Sequence, residues 1–125
     1  EYLVNHMRSL IFTTGLPPVV LNWSDFVLRH AAEMDAERAK LKRMSDRLRA
    51  IFTAAGVKTD GDSQIVPFMV GEDRDAELMA EKFQDNGFLV FPIRPPTVPA
   101  HTSRLRFSLT AALDESDIEA VGKLL

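Results

Sequence analysis

The 125-residue sequence predicts an α+β fold, a small and mostly antiparallel sheet covered by helices. Three observations carry this prediction. Two long stretches with helical spacing of apolar residues fill the first half of the chain. Strand-like runs appear only after the turn-rich segment Lys58-Thr59-Asp60-Gly61-Asp62-Ser63, and a further helical stretch separates the first two of them.

The elements follow in order. The first dozen residues end in Leu10-Ile11-Phe12, a helix tail or strand, and pass through Thr13-Thr14-Gly15 into Leu16-Pro17-Pro18. Pro18 suits the first turn of a helix, where its missing N–H costs nothing. From Val19 to Met34, residues Val19, Trp23, Phe26, Val27, His30, Ala31 and Met34 share one helical face, which makes His30 a packing residue. A second helix is expected from Asp35, a candidate N-cap, to Gly56, a candidate C′ residue. It would bury Leu41, Met44, Leu48, Ile51, Phe52 and Ala55 and turn a charged face to solvent. Ile65 to Val70 reads as a strand whose Pro67 calls for an edge or entry position. Asp73 can cap a helix with Ala76, Met79, Ala80 and Phe83 on one side, closed by Asn86-Gly87. Phe88 to Ile93 is a continuous apolar run, hence a buried strand, and Pro95, Pro96 and Pro99 predict an extended, polyproline-like connection. Arg104 to Leu109 alternates, with Leu105, Phe107 and Leu109 inward and both arginines and Ser108 outward. The final helix has Asp114 as N-cap, Leu113 and Ile118 as a hydrophobic staple, and Ile118, Val121 and Leu125 as its core stripe.

Composition narrows the function classes. Fifteen basic residues against 18 acidic ones leave a net charge of −3, the wrong balance for a non-specific nucleic-acid or anionic-membrane partner. The sequence has no cysteine, which excludes thiol nucleophiles, disulfides and thiolate zinc sites and suits a cytoplasmic protein. No run approaches the ~20 apolar residues of a spanning helix. The chain opens on Glu1-Tyr2-Leu3 without a cap or a basic leader, so it is expected to be one piece of something longer.

Few residues can carry chemistry. His6, His30 and His101 show no metal-ligand spacing, and no metal site is expected. No pair of carboxylates stands out, and no catalytic residue is assigned. Thr13-Thr14-Gly15 offers two hydroxyls and free N–H groups before a helix, a place for a phosphate or an ordinary entry loop. Arg94 precedes Pro95-Pro96-Thr97, and Arg106 follows on the outer face of a strand. A guanidinium held there matches the two oxygens of a carboxylate, although pairing with nearby acids would explain the same spacing. Pro96-Thr97-Val98-Pro99 also has the form of a ligand for an SH3-like partner.

Two longer motifs resolve the choice by resemblance. Ile93-Arg94-Pro95-Pro96-Thr97-Val98-Pro99, followed by Thr102-Ser103-Arg104-Leu105-Arg106-Phe107-Ser108-Leu109-Thr110-Ala111-Ala112, is similar to the C-terminal signature of the pyridoxal-phosphate-dependent α-oxoamine synthases, in their oxononanoate-forming branch. Ile11-Phe12-Thr13-Thr14-Gly15-Leu16-Pro17-Pro18 and Ser63-Gln64-Ile65-Val66-Pro67 with Val70-Gly71 resemble other stretches of the same family. The resemblance implies the C-terminal small domain of a fold-type I transferase over residues 19–125, with 1–18 as the connecting segment. It implies condensation of a pimeloyl thioester with L-alanine, with loss of CO₂, to 8-amino-7-oxononanoate in biotin synthesis, by a cytoplasmic homodimer using pyridoxal 5′-phosphate. Arg106 would then bind the α-carboxylate, Thr97 would contact substrate, and Arg94 would lie at the mouth of the site. Thr13 and Thr14 would reach the cofactor phosphate of the neighbouring subunit.

The sequence departs from the family at His101, where glycine is common, and at Leu113, where histidine is common. None of Lys40, Lys42, Lys58, Lys82 and Lys123 has the Ser/Thr-rich setting of a Schiff-base lysine, so that residue is expected upstream of Glu1 and the fragment is expected to be inactive alone. The alternatives are another α-oxoamine synthase with a different acyl thioester or amino acid, or a non-enzymatic α+β regulatory or peptide-binding module.

Overall fold

The structure is a computed structural model that describes residues 2–8 and 15–125, apart from the Val4 side chain. Thr13 and Thr14 lie outside the described residues. The element order is α1 (Tyr2–His6), α2 (Pro18–Ala32), α3 (Asp35–Ala54), β1 (Ile65–Gly71), α4 (Asp73–Asp85), β2 (Phe91–Ile93), β3 (Ser103–Ser108) and α5 (Glu115–Gly122). The chain divides into two compact units, residues 1–35 and 36–125. Among the described residues no helix is long and apolar enough to cross a membrane.

In the first unit α2 begins with Pro18 in its first turn, as its sequence requires. Its apolar stripe is not a buried one. None of its residues is buried, and Trp23, Phe26 and Val27 are exposed. His30 is correspondingly an exposed residue that stacks on Phe26, with ring centroids 6.0 Å apart, rather than a packing residue of a core. Helical spacing places residues on one face of a helix, but it does not supply the surface that covers them.

The second unit is built on a three-stranded antiparallel sheet in the order β1-β3-β2. Pro67 therefore sits on an edge strand, where its missing N–H interrupts no inner ladder. Val66, Phe68, Leu105 and Phe107 point to one face and join a single core with Met44, Leu48 and Phe52 of α3, Phe83 of α4, and Ile118 and Val121 of α5. Phe107 is the hub of this core. Its ring meets Phe52 and Phe83 at centroid distances of 5.2 Å each, in edge-to-face geometry. Such pairs add roughly 0.5–1.5 kcal/mol to area burial.

Both long helices of this unit end by the same device. Gly56 and Gly87 adopt φ of 78° and 87°. Beyond them, the Val57 N–H bonds to the Phe52 carbonyl and the Phe88 N–H to the Phe83 carbonyl, each at 2.9 Å. These are Schellman closures in which the capped carbonyls belong to the two core phenylalanines. At α5, Asp114 is the N-cap and its N–H donates to the Asp117 carboxylate at 2.9 Å, one arm of a capping box. Arg47 grips Glu119 through two bonds of 2.6 and 3.0 Å, tying α3 to α5 and holding the Glu119 carboxyl below its ordinary range.

Three expectations are corrected. The run from Phe88 to Ile93 is not a buried strand. Only Phe91–Ile93 is strand, and Leu89 and Phe91 are exposed, because the closure of α4 uses Phe88 and the strand lies at the sheet edge. The proline segment is not extended but turns, with the Thr97 N–H donating to the Arg94 carbonyl at 3.0 Å across a cis Pro95–Pro96 peptide. Leu125 and Ala55 lie beyond the ends of their helices and are exposed.

His101 occupies the left-handed region, at φ 59°, which explains why glycine suits that position. Its Nδ1 lies 2.7 Å from Glu72, and this hydrogen bond, with the carboxylate charge behind it, raises the imidazole pKa above its ordinary 6.5. The contribution of the pair to stability is therefore full below pH 6.5 and lost as pH rises through the folded value. Comparing the wild type with Glu72→Gln, the gap in Tm should be larger at about pH 6 than at about pH 9; a constant gap would mean that His101 does not titrate against Glu72. For the core, Phe107→Ala should cost ~3–5 kcal/mol in urea unfolding. The exposed Phe91→Ala should cost under ~1 kcal/mol, and equal losses would contradict the one-sided core.

Candidate functional site

The alternation of β3 decides what the uncovered face of the sheet presents. With Ser103, Leu105 and Phe107 buried, Arg104 and Arg106 must project to the other side. Across the ladder Arg106 is flanked by Pro67 and Phe91, and Arg104 by Met69 and Ile93. The face is thus a pair of guanidinium groups set among apolar side chains.

A groove of about 450 Å³ opens over this face. Thr97, Arg104 and Arg106 line it together with Asp60, Gly61 and Ser63 from the loop before β1. Arg106 is exposed and makes no hydrogen bond or ion pair among the described residues, so its fork is free to receive two oxygens. Arg104 is half-buried and spends its Nε on the Thr102 carbonyl at 3.0 Å. Asp60 accepts the Gly61 N–H at 2.7 Å, which directs one of its oxygens into the turn.

The structure brings together two of the three residues that the sequence offers for substrate, Thr97 and Arg106. Arg94 stands apart from the groove lining, because its guanidinium is paired with Glu77 on α4. Thr13 and Thr14 lie outside the described residues, so their placement is not part of this site's geometry. Arg104 and Asp60 are the residues that sequence reading left off the site. The two-residue spacing to Arg106 was a usable signal for Arg104, whereas Asp60 reaches the groove only through tertiary packing.

No lysine lines the groove, and among the described residues no group of three His, Asp or Glu is placed to hold a metal ion. A second, mostly apolar cleft of about 350 Å³ lies between the end of β3 and α5, lined by Leu109, Leu113 and Ile118. It offers no free charge, since Asp117 is committed to the cap of α5. Of these two clefts, the one on the arginine face carries an uncommitted charged side chain, Arg106.

Comparison with known proteins places the chain in a family. The chain is 46% identical over 125 residues to an 8-amino-7-oxononanoate synthase of Chlorobaculum parvum, covering 100% of this chain and 32% of that protein. It is 44% identical over 120 residues to a putative 8-amino-7-oxononanoate synthase of Pasteurella multocida, covering 95% of this chain and 31% of the relative. The chain therefore spans about a third of the length of the curated relatives it matches. Among solved structures it is similar to a serine palmitoyltransferase of S. paucimobilis bound to PLP and myriocin, at TM-score 0.81 and 30% identity over 94% of this chain and 30% of that one. The 8-amino-7-oxononanoate synthase of Francisella tularensis shares the fold, with TM-score 0.81 at 24% identity over 98% of this chain and 36% of that one. Residues 1–124 match the model of the family described as aminotransferase class I and II, and the chain belongs to that family.

Proposed function

We propose that the whole protein is a pyridoxal-phosphate-dependent C-acyltransferase. It would condense a pimeloyl thioester with L-alanine, with decarboxylation, to 8-amino-7-oxononanoate, acting as a cytoplasmic homodimer in biotin synthesis. This chain would supply the amino-acid-carboxylate side of its site. The observation that carries the reading is the free Arg106 fork beside Thr97, on the sheet face that no helix of the second unit covers. The names of relatives at 44–46% identity support the substrate assignment.

The residues present suit one part of such a site and not another. A carboxylate fits Arg106, whose planar fork offers two parallel N–H donors on a rigid strand. Thr97 presents its hydroxyl from a turn closed by its own N–H, at small ordering cost. Arg94 could join them only by leaving Glu77. No lysine lines the groove, and on this reading the cofactor's lysine would stand in another part of the whole protein, so that this chain would be inactive alone. When bound, pyridoxal phosphate supplies the electron sink for bond changes at the amino acid's α-carbon. The chain's own part is to hold the carboxylate and fix its orientation, with Thr13 and Thr14 reaching the phosphate of the neighbouring subunit's cofactor. A second reading, an α-oxoamine synthase using another amino acid and thioester, is favoured by the likeness to serine palmitoyltransferase at 29–30% identity.

In the full-length enzyme Arg106→Ala should raise the L-alanine KM by roughly 10–100-fold, the worth of a bidentate charged contact. Unchanged alanine kinetics would make the arginine structural, and a stronger response to serine or glycine would favour the second reading. The double variant Thr13→Ala, Thr14→Ala should lose cofactor on dialysis about tenfold more readily; wild-type retention would reduce these threonines to an entry loop.

A further inference from the structure

We propose that Arg49 is a positioning residue for the amino-acid site, holding, from the core helix, the Asp60–Ser63 loop that lines the groove. The proposal rests on the carboxylate reading given above. Arg49 follows the fully buried Leu48 on α3, and its side chain keeps only 14% exposure. Its Nη2 donates to the Ser63 carbonyl, and its Nη1 stands 3.8 Å from Asp46. Nε and Nη1 are buried without a hydrogen-bond partner.

A guanidinium buried on those terms is a poor source of stability. An apolar side chain of similar length would pack there without leaving donors unpaired. What the charge does secure is the loop. Asp60, Gly61 and Ser63 line the same groove as Arg104 and Arg106. Gly61 sits in the left-handed region at φ 73°, and the local side-chain bonds, Asp60 to Gly61 and Ser63 to Ile65, are internal to the segment. Arg49 adds a strut from a helix that is itself anchored in the core through Met44, Leu48 and Phe52. The carbonyl it grips belongs to a residue that lines the groove. From there the chain runs directly into β1, whose Ile65 and Pro67 stand opposite Ser108 and Arg106. The width of the groove at Arg106 thus depends on a side chain that does not line it.

The test uses the full-length enzyme, with L-alanine as the probe and Arg106→Ala as the reference. Arg49→Met should raise the alanine KM about tenfold while kcat stays within about twofold. Amide hydrogen exchange should quicken over residues 59–64 and stay unchanged in α5. Arg49→Lys, which can still donate to Ser63, should recover most of the KM. If Arg49→Met does not fold, Arg49→Gln carries the same two readouts. A wild-type alanine KM in the Arg49 variant, with Arg106→Ala strongly impaired, overturns the proposal and leaves the carboxylate reading intact. If Arg106→Ala is also unimpaired, the carboxylate reading falls and the assignment of Arg49 to an amino-acid site falls with it. Unchanged exchange over 59–64 overturns the strut whatever the kinetics show.

Discussion

The ring of Phe107, held edge-on between Phe52 and Phe83, is the contact on which the second unit depends. It lies on the central strand, so it joins both helices that end in Schellman closures to the sheet they cover. It also sets which way β3 faces. A strand with Phe107 locked inward has Arg106 outward, and a slip of one residue would exchange the two. The same alternation therefore produces the hydrophobic core and the charged face.

That division lets a small unit offer one side of the proposed site. One face of the sheet is covered by α3, α4 and α5, and no helix of this unit covers the other, which presents two guanidinium groups among Pro67, Phe91 and Ile93. The open face becomes a groove only because loops rise at its margins. The turn from Arg94 to Thr97 forms one margin, and the Arg94–Glu77 pair ties that turn to α4. The Asp60–Ser63 segment forms the other. Rigid strand positions supply the charge, and tethered loops supply the shape.

Features set by local chemistry were legible in the sequence. Asn86-Gly87 and Gly56 mark the helix ends because only a left-handed residue permits the closure. Asp114 and the alternation of Arg104 to Leu109 are equally local. Pro67 predicted an edge strand for a reason the structure repeats. The failures share a cause, which is that coverage is a tertiary fact. The apolar run at Phe88 to Ile93 and the stripe of α2 look like core residues until one asks what lies against them. Arg94 offered itself for a carboxylate, but the acid it meets is Glu77, 17 residues away. Arg106 was legible from the alternation of its strand and Thr97 only from the resemblance of its proline-rich segment, whereas Asp60 lines the groove, and Arg49 reaches its Ser63, through packing that no spacing encodes.

The proposed function requires Arg106 to receive an amino-acid carboxylate. A crystal structure of the full-length enzyme with its cofactor and L-alanine tests this most directly. The alanine carboxylate is expected on the Arg106 fork through two parallel bonds of about 2.8 Å, with Thr97 in reach. A carboxylate bound by another group, with Arg106 left facing solvent, would contradict it.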